Sequence, residues 1–132
     1  MVRVMSADRE TITAPDAPAA IGPYSHAIRH GDLLFCSGQI PLDPASGELV
    51  AVSAAAQARR CLENLQAVCE AAGTTLTRAL RLTIYMVELG GFSEVNAVCE
   101  EFFPQAPPAR VTVGVAALPR GAGIEIDAVV AL

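Results

Sequence analysis

Residues 107–132, PPARVTVGVAALPRGAGIEIDAVVAL, decide the fold. Two apolar segments, 109–116 and 124–131, are rich in Val, Ile and Ala and bounded by Pro or Gly, which predicts two strands. The linker ALPRGAG between them predicts that they pair with one another. Each strand carries a charge in apolar company, Arg110 in the first and Glu125 in the second. Successive side chains alternate across a strand. Val111, Val113 and Val115 therefore share one face, and Arg110, Thr112 and Gly114 the other. Assigning the valines to the core turns Arg110 outward. Glu125, between Ile124 and Ile126, also faces away from the core and shares its face with Asp127.

Working back along the chain, ALRLTIYMVEL (79–89) alternates as a strand, with Leu80, Leu82, Ile84 and Met86 on one face and Arg81, Thr83 and Tyr85 on the other. Residues 53–72 repeat apolar side chains every three or four places (Ala58, Cys61, Leu62, Leu65, Val68, Cys69, Ala72), which predicts a helix with Ser53 as N-cap and Gly73 as stop. Asn64 falls on its polar face. GGFSEVNAVCEEFFP (90–104) predicts a second helix with Phe92, Val95, Val98, Cys99 and Phe102 inward and Pro104 ending it. LLFCSGQ (33–39) is a strand, paired across the turn His30-Gly31-Asp32 with one at about 25–29. Proline and glycine make residues 11–24 an extended lead-in.

The order β-β-α-β-α-β-β predicts one α+β domain, a mixed sheet with both helices on one face. At 132 residues there is room for a single core, taken as 13–132 behind a short tail, 1–12. The uncovered sheet face is too apolar to be simply wet and too polar to be a private core, which predicts a second copy of the chain against it.

Composition excludes several functions. The net charge of −5 argues against a nucleic-acid surface, which is basic. No apolar run is long enough for a membrane helix, and the first ten residues lack a signal-peptide core, so a soluble, cytoplasmic chain is expected. Cys36, Cys61, Cys69 and Cys99 have no paired metal or redox spacing and are expected to be reduced and buried. No metal cluster, phosphate loop or Ser-His-Asp order is present.

The residues able to do chemistry are therefore few. Arg110 cannot lose its proton and needs an anion, either an acidic side chain or a substrate carboxylate that its planar fork grips with two hydrogen bonds. Glu125 is either that salt-bridge partner or a general acid/base. Tyr24, after Gly22-Pro23, projects from a turn; Ser37-Gly38 ends a strand where backbone can approach a ligand. His26 and His30 are expected in surface or turn positions.

IGPYSHAI, FCSGQIPLDPASGEL, AAQARRCLENLQAVCEAAG, VNAVCEEFFP and PPARVTVGVAALPRGAGIEI together resemble the RidA/YjgF family of reactive intermediate deaminases, once labelled endoribonuclease L-PSP. The resemblance spans about residues 13–132. It implies a chorismate-mutase-like fold, a homotrimer with sheets facing a central barrel, ligand clefts between subunits, and no cofactor or metal. It implies hydrolysis of enamines and imines such as 2-aminoacrylate to 2-keto acids and ammonia. By position, Arg110 matches the arginine that holds the substrate carboxylate and Glu125 the glutamate that handles the water. Tyr24, Ser37, Gly38 and Asn96 match residues lining the cleft. Thr112 stands where many members carry cysteine, so no thiol serves at that place. The alternatives are a non-catalytic trimer sensing small 2-keto acids, a deaminase of a larger enamine such as 2-aminomuconate, and a ribonuclease.

Overall fold

A computed structural model describes residues 8–50 and 52–132. Six strands form one sheet: β1 (Glu10–Ile12), β2 (Ala27–His30), β3 (Leu33–Gln39), β4 (Ala79–Met86), β5 (Ala109–Gly114) and β6 (Ile124–Ala131). Two helices, α1 (Ala54–Ala71) and α2 (Phe92–Phe102), pack on one face. The order across the sheet is β1-β2-β3-β6-β4-β5. β1 lies in the stretch expected as tail and pairs antiparallel with β2, Thr11 opposite Ile28.

The expected pairing of the last two strands does not occur. β6 lies between β3 and β4, antiparallel to both, and β5 lies at the edge, parallel to β4. The reason is the helix between β4 and β5. A β-α-β connection returns the chain in the same direction, so β5 joins β4 in parallel. β6 places Ile124, Ile126, Ala128 and Val130 in the core and gains two neighbours by lying in the middle.

The core lies between the helices and the sheet. Leu62, Leu65 and Val68 of α1 and Val95 and Val98 of α2 are buried with Leu34, Leu82, Ile84, Ile126 and Val130 of the strands. Each such side chain contributes roughly 1.5–3 kcal/mol by leaving water. α1 begins as its sequence dictates, the Ser53 hydroxyl accepting from the Ala56 N–H at 3.1 Å, and stops at Gly73, whose φ of +84° suits glycine.

Several side chains depart from the sequence reading. Leu80 is 49% exposed because the β4–β6 register slips between Ala79 and Arg81, taking it out of the alternation. Asn64 is buried rather than on a wet face, its amide donating to the carbonyls of Ile40 (3.3 Å) and Leu42 (3.0 Å) and accepting from Arg60 Nε (3.1 Å). It pins the loop that leaves β3. Phe92 is exposed, and Phe103, just beyond α2, fills the core place.

His26 is 6% exposed, not a surface residue. Its Nδ1 accepts from the Ala14 N–H and its Nε2 donates to the Pro18 carbonyl, both at 2.8 Å. The ring thereby ties the proline-rich lead-in to β2. His26→Ala should cost roughly 2–4 kcal/mol by leaving these buried backbone groups unpaired. Urea unfolding measures this, and an unchanged midpoint would show the tie to be dispensable.

Candidate active site

β5 sets the first half of the site. In its parallel register with β4, Arg110 lies opposite Leu82 and Thr112 opposite Ile84, while Val111 and Val113 lie opposite Thr83 and Tyr85. Paired residues share a face, and Leu82 and Ile84 are buried under the helices. Arg110 and Thr112 therefore point to the helix side, and the valines to the open face, the reverse of the sequence reading. Alternation fixed which residues travel together but not which set faces inward, because both sets are short of charge. The valines are left 47% (Val111) and 38% (Val113) exposed.

Arg110 meets one stripe of α2. Its guanidinium lies over the Phe92 ring, 5.3 Å from the centroid. Asn96 and Cys99, four and seven residues on, follow on the same helical face, and both line a cavity of about 490 Å³ beside Arg110. Burial raises the Cys99 thiol above its ordinary range, and the Arg110 charge pulls it partly back. The buried Asn96 Oδ1 and Thr112 Oγ1 find no hydrogen-bond partner among the described residues. No ion pair to Arg110 exists among the described residues either, which removes an intrachain salt bridge as its purpose.

The second half gathers at the end of β3. The β3–β6 register slips between Cys36 and Gln39, so Ser37 and Gly38 stand where the ladder is interrupted. The Glu125 carboxylate lies directly over Gly38. A Cβ there would stand 3.0 Å from its Cδ and closer still to Oε2, so only glycine leaves the carboxylate in place. Tyr24 shares a small pocket with Gly38, its hydroxyl accepting from the Ile21 N–H at 3.1 Å. The Ser37 hydroxyl donates to the Ser25 carbonyl at 2.6 Å, a bond that holds the strand end. Glu125 is half-buried on the open face, and burial, with the charge of Asp127 added, pushes its carboxyl above the usual range. Tyr85 donates to Asp127 Oδ2 at 3.0 Å, which holds that second carboxylate in place.

The expected residues thus form two groups, Arg110, Asn96 and Thr112 on the helix side and Tyr24, Ser37, Gly38 and Glu125 at the far strand end. Two strand spacings and three residues along the sheet separate Arg110 from Glu125, on the order of 14 Å, and the two side chains point to opposite faces. One chain cannot bring them together. Phe92 and Cys99 were not singled out from sequence as site residues. The signal was their spacing from Asn96, which puts all three on one face of a helix. His26 and His30 are not part of either group: His26 is committed to backbone, and His30 ends β2, against the Asp8 carbonyl.

Fold and site define a small α+β protein with an unpaired arginine at a sheet edge and a half-buried glutamate on the reverse face. The chain belongs to the endoribonuclease L-PSP family, the RidA/YjgF proteins, whose family model matches residues 14–132. It is 50% identical to the RutC family protein y4sK of Sinorhizobium fredii over 93% of this chain and 98% of that one. It is 40% identical to the 2-iminobutanoate/2-iminopropanoate deaminase of Homo sapiens over 92% of this chain and 88% of that one. The crystal structure of the YjgF gene product of E. coli superposes with a TM-score of 0.88 at 42% identity, covering 92% of this chain and 98% of that one. Among the described residues no helix is long and apolar enough to cross a membrane.

Proposed function

We propose that the chain is a cytoplasmic imine deaminase that hydrolyses 2-iminopropanoate and its homologues to 2-keto acids and ammonia, in clefts between the subunits of a homotrimer. The observation that carries this reading is Arg110, a guanidinium with no ion-pair partner among the described residues, lying over the Phe92 ring at the edge of a cavity. Its fork is free to grip a carboxylate. The likeness to the human deaminase supports the chemistry. Four buried, unpaired cysteines suit a reducing compartment.

Glu125 of a second copy supplies the water. An enamine such as 2-aminoacrylate takes a proton at C3 and becomes the imine. The water oxygen attacks C2 while Glu125 accepts its proton, and the C=N electron pair moves to nitrogen, which is protonated. The carbinolamine then re-forms a carbonyl as the C–N bond breaks and ammonia leaves. The Gly38 backbone, lying directly under Glu125, fixes where that carboxylate points. Asn96 and Thr112 border the arginine and orient the acid end. Positioning is the main contribution, since the reaction in water needs only modest help.

The test generates 2-aminoacrylate with a serine dehydratase, traps it with semicarbazide and follows pyruvate. Arg110→Ala should lose about 100-fold through two charge-assisted hydrogen bonds, and Arg110→Lys about tenfold because a point charge replaces the fork. A wild type that binds pyruvate but accelerates nothing would leave a non-catalytic 2-keto acid sensor. Ribonuclease activity is disfavoured by the acidic charge and by His26, whose two ring nitrogens are already bonded.

The pH profile carries a further expectation. Glu125 acts as a base when ionised, and its raised pKa places the acidic limb of kcat above an ordinary glutamate's. Asp127→Asn removes the neighbouring negative charge, lowers that pKa and moves the limb to lower pH. An unmoved limb would mean that another group controls the rate.

A further inference from the structure

We propose that Gln57 is a positioning residue for Glu125: from the first turn of α1 it holds the backbone that enters β6, and through that backbone it fixes the carboxylate over Gly38. The inference rests on Glu125 handling the water. Glu125 lies near the free end of its ladder. The β3–β6 register ends with Gln39 opposite Ile126, so among the described residues Ile124 and Glu125 have ladder neighbours on the β4 side alone, Met86 and Tyr85. A carboxylate that aims a water has to be held to within roughly 0.5 Å. Pairing on one side does not ensure that at a strand end, where ladders fray.

α1 supplies the missing restraint. The Gly123 N–H donates to Gln57 Oε1 at 3.1 Å, and the Gly123 carbonyl accepts from the Val87 N–H at 3.0 Å. Both backbone groups of Gly123 are therefore held, two residues before Glu125. One helical turn beyond Gln57, the Cys61 thiol donates to the Ile124 carbonyl across 3.7 Å. Residues 57 and 61 thus grip consecutive residues of the entering chain from one face of α1. Gln57 is the stronger of the two anchors, because a thiol is a weak donor. Gly123 is what permits the approach: a Cβ there would stand 2.7 Å from Gln57 Oε1. α1 packs on the helix side of the sheet and Glu125 faces the open side, so Gln57 touches no reacting atom and acts through the backbone.

Three variants test this role. Gln57→Leu keeps the volume and loses the acceptor. Gly123→Ala pushes the amide off its bond. Gln57→Glu keeps an acceptor oxygen at the same reach. In the trapped-imine assay the first two should each lose about tenfold in kcat with KM within about twofold, because Arg110, which grips the substrate, is untouched. Gln57→Glu should keep at least about half of kcat. NMR titration of the Glu125 carboxyl, identified by its loss in Glu125→Gln, gives a readout that needs no turnover. Asp127 lies beside that carboxyl, Tyr85 opposite it on β4 and Cys61 beneath it on α1, while Ser37 and Gly38 on the β3 side carry no charge. None of these groups changes in Gln57→Leu or Gly123→Ala, so a moved midpoint reports a moved carboxyl. Burial is the larger cause of the raised Glu125 pKa, and a carboxylate released toward water loses it, so the midpoint should fall in both. In Gln57→Glu it should stay at or above the wild-type value. Wild-type kcat in Gln57→Leu, a loss that Gln57→Glu shares, or an unmoved midpoint overturns the proposal. Should Gln57→Leu not fold, Gly123→Ala carries the same comparison. A wild type that accelerates no imine removes the deaminase reading, and the midpoint then decides alone whether Gln57 places Glu125.

Discussion

Mixing Arg110→Ala chains with Glu125→Gln chains before assembly should restore about a quarter of the wild-type deaminase rate, although each variant alone is close to inactive. The expectation comes from the two faces of the sheet. Arg110 shares the helix side with Leu82, whereas Glu125 lies on the open side opposite Tyr85. On the proposed mechanism a working site would therefore draw the arginine from one chain and the glutamate from another. With equal amounts and random assembly, about one cleft in four receives both intact residues. The measurement is a co-refolding series at several ratios, read by pyruvate formation, and activity should peak at equal proportions. A flat line at the level of the single variants would mean that each site uses residues of one chain. The sheet would then have to rearrange to bring them together.

Val111→Asp should disperse the assembly and abolish turnover in the same step. Val111 and Val113 of β5 sit exposed on the open face, as does Phe35 of β3 farther across the sheet, and this β-branched and aromatic surface is what a second copy would cover. An aspartate placed under such a contact gives up its hydration, which costs several kcal/mol per subunit. The chain itself should stay folded, because Val111 contributes nothing to the core between helices and sheet. Analytical ultracentrifugation would read the mass, circular dichroism the fold and the trapped-imine assay the activity. An unchanged mass with full turnover would show that another surface makes the contact. A smaller species with full turnover would contradict a site shared between chains.

Much of this arrangement was legible in the sequence. The period of Ala58, Cys61, Leu62, Leu65 and Val68 placed α1 to within a residue, and Ser53 and Gly73 marked its ends as capping chemistry requires. Arg110 and Glu125 stood out because charge is costly in apolar strands. What stayed hidden was everything set by the neighbour a strand acquires. β5 has apolar residues in both of its alternating sets, so its orientation depended on β4, and the loop after it suggested a hairpin that the β4-α2-β5 crossover overrides. Asn64 looked like one more polar residue of a helix surface. Its burial depends on the Ile40 and Leu42 carbonyls, which lie over twenty residues away. His26 was opaque for the same reason: its partners, Ala14 and Pro18, belong to a lead-in without regular structure. Phe92, read as core, is instead exposed and lies under the Arg110 guanidinium.

The place of β6 in the sheet also bears on how the protein is made. It joins β3 on one side and β4 on the other, yet it is synthesised after both. While a ribosome is still translating residues 109–123, β3 and β4 have no strand between them, and their apolar faces and ladder edges wait unpaired. The chain must therefore complete its sheet late, by inserting the final strand, rather than growing it strand by strand. That interval is when the nascent protein is most exposed to aggregation and has most use for a chaperone.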